Sequence, residues 1–199
     1  MKYLFVILFG ILLNGCVTTV VPAKSEYRIS SGVVALQSKS NTCKEKSLKV
    51  AQAFSSSTLM SNHMMYAIGT SKQYAYAESL WAENPNAVIT SSILELIRDT
   101  NVFNSVQVSK SRSRSDFILE INIEDFMQYF DEASLHSHAS ISLTLTLIDI
   151  KSNRVMATKT FDAKVDVEDL NAQGGVQGLK EAFNIILKDV NTWIIGVCK

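Results

Sequence analysis

The chain has 199 residues, 47% of them hydrophobic, and its 19 Lys and Arg are matched by 19 Asp and Glu. That balance leaves no electrostatic footprint for a nucleic acid, whose phosphates are held by an excess of cations. The length suits one domain with a sizeable core.

The N-terminus reads MKYLFVILFGILLNGC. Lys2 supplies a charged start, and Tyr3 to Leu13 is apolar apart from Gly10. A run of about eleven residues is too short for a ~30 Å hydrocarbon core and fits the apolar region of a signal peptide. Leu13, Asn14 and Gly15 before Cys16 resemble the lipobox of bacterial lipoproteins, with Asn14 larger and more polar than usual. The expectation is a signal peptide over 1–15, a lipidated Cys16 with its tether over 16–26, and a single periplasmic domain over 27–199. A plain secretory leader with a chance cysteine is the alternative. Two or more acyl chains on Cys16 give stable anchoring. Cys43 and Cys198 then remain, an even number for an oxidising compartment. Their pairing would tie the N-terminal segment to the end of the last helix. Their spacing matches no zinc site, and whether their Cα atoms come within bonding range depends on the fold.

Tyr27 to Leu36 reads as a strand, Gln37 to Lys46 as a polar connection and Leu48 to Phe54 as a second strand, followed by a serine loop. Met64 to Ile68 and Gln73 to Trp81 flank Gly69-Thr70-Ser71-Lys72 as a hairpin. Asn84-Pro85 predicts a helix start, with Asn84 as cap. Ile89, Ile93, Leu96, Ile97 and Thr100 form its buried stripe. A short strand over Phe103 to Val108 leads out of it. Phe117 to Ile123, Ala139 to Leu147 and Val155 to Val165 then alternate apolar with polar, as strands with one wet face do. Ser152-Asn153 marks a tight turn, and the phase slip at Glu124-Asp125 marks a bulge. Val176 to Val197 is an amphipathic helix preceded by Gly174 and Gly175. The expected fold is therefore α+β, with two layers: a mostly antiparallel sheet and two amphipathic helices on one face.

Catalytic constellations are scarce. No Gly-rich phosphate loop, nucleophile elbow or Cys-His pair is present. His136 and His138 would share a face if both lay on a strand, but they read better as polar residues of a loop before one. Glu120 and Glu124 fall on the wet face, where carboxylates keep a sheet soluble, and Asp125 adds no acid/base pair. His63 reads as a surface residue. The sequence points to no enzyme and to no cofactor or metal. Lys110, Arg112 and Arg114 alternate with serines as a solvated loop, with a headgroup or acidic-partner role as the alternative. Tyr66, Tyr74, Tyr76 and Trp81 crowd the hairpin together with methionines, and such residues suit either a partner or lipid surface or ordinary core packing.

Taken together, these pieces resemble the auxiliary lipoproteins of ABC-type lipid transporters, the family that includes the outer-membrane lipoprotein of the paraquat-inducible (Pqi) system. The resemblance rests on the lipobox, Tyr27-Arg28-Ile29, the apolar strand Ser47 to Phe54, Met65-Tyr66, and Tyr74 to Trp81 followed by Pro85. It continues through Phe103-Asn104-Ser105-Val106, Ser115 to Glu120, and Arg154, Val155, Ala157 and Phe161. The chain departs in having few prolines after the first strand and Ser79 where many relatives carry Arg. The resemblance implies a non-enzymatic accessory working beside a permease, an ATPase and an MCE (mammalian cell entry) domain protein that carries lipid. It would dock the periplasmic conduit to the outer membrane, with phospholipid as a further ligand and a homo-oligomer left open. Val17 after Cys16, in place of the Asp that retains enteric lipoproteins at the inner membrane, points to the outer membrane. The alternative is a structural lipoprotein of another envelope machine, such as one for lipopolysaccharide assembly.

Overall fold

The computed structural model describes residues 23–33, 35 and 42–198. The signal peptide and Cys16 lie outside the described residues. Eight strands form one sheet. They are β1 (Ser25–Tyr27), β2 (Ser47–Val50), β3 (His63–Ile68), β4 (Lys72–Trp81), β5 (Ser105–Val108), β6 (Phe117–Phe130), β7 (Ser137–Asp149) and β8 (Arg154–Val167). Among the described residues two helices accompany the sheet, α1 (Pro85–Asp99) and α2 (Ala172–Val197), both packed on one face of it.

The long strands β6, β7 and β8 form an antiparallel meander, where alternation is strongest. Phe117, Leu119, Ile121 and Ile123 face the core together with Ala139, Ile141, Leu143, Leu145 and Leu147. The register shifts between Ile123 and Asp125, so Glu124 is the extra residue of a bulge and the inward phase passes to Phe126, Gln128 and Phe130.

On its other edge β6 is shared between two arms, and the sheet forks. β2 runs parallel to the first half of β6 (Leu48 opposite Phe117) and carries β5 beside it, also parallel. β3 runs parallel to the last residues of β6 (Tyr66 opposite Gln128) and continues through β4 to β1. The sheet is thus mixed, with antiparallel pairing along its long strands and parallel pairing in the short arms. Alternation encodes which face a residue occupies and says nothing of the direction of its neighbour.

These registers give the sheet two ends. At the upper end lie the β3–β4 turn, the β6–β7 loop and the β8–α2 loop, and Gly69 N donates to Phe130 O at 2.9 Å. Gly69 has φ +61°, a conformation that a glycine adopts without strain. At the lower end lie the segment before β2, the loop between β5 and β6, and the β7–β8 turn. Asp116 N donates to Ser47 O at 3.1 Å there, and Ile150 N to Asp116 O at 2.9 Å.

Of the strand predicted over Tyr27 to Leu36, the described residues show a strand at Ser25–Tyr27, paired with β4, and positions 34 and 36 lie outside the described residues. Asn84 holds the cap position of α1 but makes no side-chain cap; its Nδ2 donates instead to Met60 O at 2.9 Å. α2 starts earlier than predicted, at Ala172, where Asn171 Oδ1 accepts from Gly174 N at 2.9 Å. Gly174 and Gly175 therefore sit inside the helix. Absence of side chains there brings its first turns against the sheet: a Cβ on Gly178 would lie 2.5 Å from Val167 Cγ2 and 2.9 Å from Ala139 Cβ. At the other end of α2, Cys198 is disulfide-bonded to Cys43, with Cα atoms 5.4 Å apart.

Candidate functional site

Strand periodicity places Tyr66, Tyr74 and Tyr76 on the helix-bearing face of the hairpin, because Tyr66 stands opposite both Tyr74 and the inward Gln128. Neither helix covers all of that arm, and the three rings collect into a cluster. Tyr66 lies with its centroid 5.5 Å from Tyr74 and 4.5 Å from Tyr76, and meets Phe130 edge-on at 5.7 Å. Such offset and T-shaped contacts are favourable geometries for aromatic rings. Tyr74 is 43% exposed, and Tyr66 and Tyr76 are half-buried.

Tyr76 ties the cluster to the core. Its hydroxyl donates to Gln128 Oε1 at 2.8 Å, and Gln128 Nε2 donates to Ser137 Oγ at 2.9 Å. Burial, with a smaller contribution from Tyr66, pushes the Tyr76 hydroxyl well above the usual tyrosine range, so it stays a donor. Sequence reading missed Gln128. Its one signal is a polar residue at an inward position once the bulge at Glu124 has shifted the phase.

Trp81 does not belong to this surface. It is 4% exposed and meets Phe126 edge-on at 5.8 Å within the core. The β3–β4 register shifts between the Met65–Ala75 and His63–Leu80 pairs, so the inward phase passes from Tyr74 and Tyr76 to Ser79 and Trp81 and leads into the interior. Beside it a cleft of 310 Å³ is lined by Tyr27, Arg28, Ile29, Glu83 and Val88. The docking surface expected from Tyr66, Tyr74, Tyr76 and Trp81 thus reduces to the three tyrosines.

His136 and His138 line one cleft at the upper end, yet their rings have separate partners. His136 lies in the loop before β7, with Nδ1 3.0 Å from Asp131 Oδ2. His138 stacks on Tyr129, centroids 5.3 Å apart. Burial, joined by Lys164, lowers the His138 pKa against the opposing pull of Asp166 and Asp125. Among the described residues, no three His, Cys, Asp or Glu side chains gather as a metal site. Glu120 and Glu124 are exposed, and Glu124 Oε1 accepts from Thr144 at 2.9 Å. Asp125 accepts from Tyr129 OH at 2.8 Å, and His63 is exposed. No helix among the described residues is long and apolar enough to cross a membrane.

A family model described as ABC-type transport auxiliary lipoprotein component matches residues 27–191. The fold is similar to the crystal structure of a Xanthomonas campestris protein of the DUF330 family, with a TM-score of 0.76, 17% identity, and coverage of 87% of this chain and 95% of that one. It is also similar to the crystal structure of an uncharacterized protein, with a TM-score of 0.62, 14% identity and coverage of 87% and 99%. A hypothetical protein from Chlamydia trachomatis follows at a TM-score of 0.50 and 10% identity, with 77% and 98% covered. At such identities these likenesses concern the fold. No curated protein matches the chain.

Proposed function

The chain belongs to the family of ABC-type transport auxiliary lipoprotein components, and from that premise we propose that it is a non-enzymatic adaptor, anchored by lipid on Cys16 to the periplasmic face of the outer membrane. There it docks the MCE-domain component of an ABC-type lipid transporter. The observation that carries this reading is the extent of the family match, over residues 27–191, directly behind a lipobox-like Leu13 to Cys16. Val17 in place of Asp supports the outer membrane. A docking protein needs an accessible, rigid surface, and the tyrosine cluster offers large contact area at low cost in side-chain entropy, since each ring is already braced by its neighbours.

The test is crosslinking in intact envelopes followed by affinity purification of the tagged protein and mass spectrometry. Recovery of an MCE-domain protein or its permease, lost in Cys16→Ala, is the expected result. Tyr74→Ala removes an exposed ring and should cut that recovery about tenfold with an unchanged melting temperature, as loss of an interface anchor does. Undiminished recovery would exclude the cluster as the docking site, and recovery of other envelope proteins alone would reassign the chain to a different machine. Trp81→Ala is unsuitable for this purpose, because emptying its core site costs about 3–5 kcal/mol of stability.

A further inference from the structure

Charge is segregated between the two ends of the sheet. The lower end gathers Lys46, Lys110, Arg112, Arg114, Lys151 and Arg154, all exposed, in the three segments that Ser47, Asp116 and Ile150 knit together. Among the described residues, only Lys46 of these is in an ion pair, 3.4 Å from Asp116. Glu45, Asp99, Asp116 and Asp149 stand against them, and Lys44 and Arg98 add to the cations, so positive charge stays in excess at this end. The upper end carries Asp131, Glu132, Asp166, Glu168 and Asp169, against Lys72 and Lys164. A chain of zero formal net charge is therefore polarised along its strands.

The polarity is aligned with the anchor. β1 is parallel to β4, with Ser25 opposite Ser79, so the chain enters its first strand from the side of the β3–β4 turn. Whatever their conformation, the nine residues from Cys16 to Lys24 span at most ~32 Å. The rise along β4 from Ser79 up to Lys72 is roughly 23 Å, within that reach. That reach lets the acidic end lie next to the anchor, and the basic end stands about the length of β6 beyond it, roughly 45 Å.

We infer that the basic end, directed away from the anchoring membrane, is a docking surface for an acidic face of a protein partner. Unpaired exposed cations focus potential, steer a complementary partner and fix its orientation. Attraction between exposed charges fades beyond about 8 Å at physiological salt, so the surface acts on a partner already beside it. The inference rests on the anchor at Cys16 and supplies the second contact of the proposed adaptor, remote from its tyrosines.

The test places a photoreactive residue in the full-length lipidated protein in cells, as Ser113→p-benzoylphenylalanine at the basic end and Leu135→p-benzoylphenylalanine at the acidic end. The expected product at position 113 is a protein whose crosslinked peptide, sequenced by mass spectrometry, is net negative. Its yield should fall about tenfold in a Lys110→Glu, Arg112→Glu, Arg114→Glu variant. An equal fall is expected when isolated envelopes carrying otherwise unaltered cations are moved from about 50 to about 500 mM salt, a readout independent of whether the triple variant folds. Position 135 should label phospholipid. Attachment at 113 to phospholipid alone, to a second copy of this chain, to a peptide without net negative charge, or to nothing would overturn the inference, as would a yield indifferent to charge reversal and salt. An acidic peptide from an MCE-domain protein supports both this inference and the proposed function. One from another envelope protein keeps the inference and overturns that function.

Discussion

Asp116 joins strands whose partners are 69 residues apart. Its Oδ2 accepts from Ser47 N and from Ser47 Oγ, each at 2.8 Å, and Lys46 Nζ stands 3.4 Å from Oδ1. The backbone and side-chain bonds from Ser47 hold this carboxyl below the usual carboxylate range, with burial opposing and Lys46 assisting. A depressed folded pKa means stability that is present above the unfolded value, near 4, and lost as pH falls through the folded one. Asp116→Ala should destabilise by about 1 kcal/mol in urea at neutral pH, a modest figure because the group is partly exposed. The deficit should shrink as the pH falls below about 4; a deficit that stays constant on acidification would rule out the carboxylate as its source. The sequence shows Asp116 only as the start of a strand, since nothing near it in the chain announces Ser47. Trp81 was illegible for a related reason. An aromatic at the end of an exposed strand looks like its neighbours until the register shift between β3 and β4 turns it inward.

Strands and helices were easier to read than their surroundings. The stripes of α1 and α2, the hairpin and the bulge at Glu124 all rest on local periodicity, and the structure has them. β8 is where periodicity misleads. Its alternation suggested one buried face throughout, yet Val155 is 60% and Met156 56% exposed. α2 meets β8 along Phe161, which Trp193 contacts edge-on at 5.7 Å, and ends at the Cys43 corner near β2. The first half of β8 is left without a helix above it. Among the described residues β8 pairs only with β7, so this half is also a free edge, of the kind that recruits other chains. Two devices guard it. The register shifts between Leu147 and Ile148, leaving Met156 as an extra residue, and Lys159, opposite buried Leu145, projects from the inner face. Lys159 Nζ lies 4.9 Å from the Phe161 ring centroid, which steadies it there. Lys159→Val should raise concentration-dependent self-association, read by sedimentation velocity, with little change in melting temperature. An unchanged sedimentation profile would leave the bulge as the guard.

Over the whole molecule, the Cys43–Cys198 bond closes a sequence separation of 155 and clasps the last helix to the segment before β2. The chain-entropy argument gives about 5 kcal/mol for a loop of that size, as an upper figure. Replacing both cysteines with serine should lower the melting temperature by several degrees or more, and a reductant should do the same to the unsubstituted protein. Identical melting with and without reductant would show that the helix holds its place unaided. Residue counting left this bond open because two cysteines so far apart carry no local trace of each other. The fork of the sheet was hidden for the same reason. β2 and β3 are short strands, and their parallel partner β6 lies far downstream. That fork also imposes an order of birth. Synthesis delivers β1 to β5 first, yet the strand that unites the two arms begins only at Phe117. Until β6 has emerged into the folding compartment, the early strands have no shared template, and contacts so distant along the chain form slowly. The β6–β7–β8 meander is local and can assemble as soon as it appears, after which each arm closes onto β6. Cys198 arrives last, to meet a cysteine that has waited since residue 43. A chain cut short before β6 would be left with orphaned strand edges, the substrate on which chaperones and proteases act.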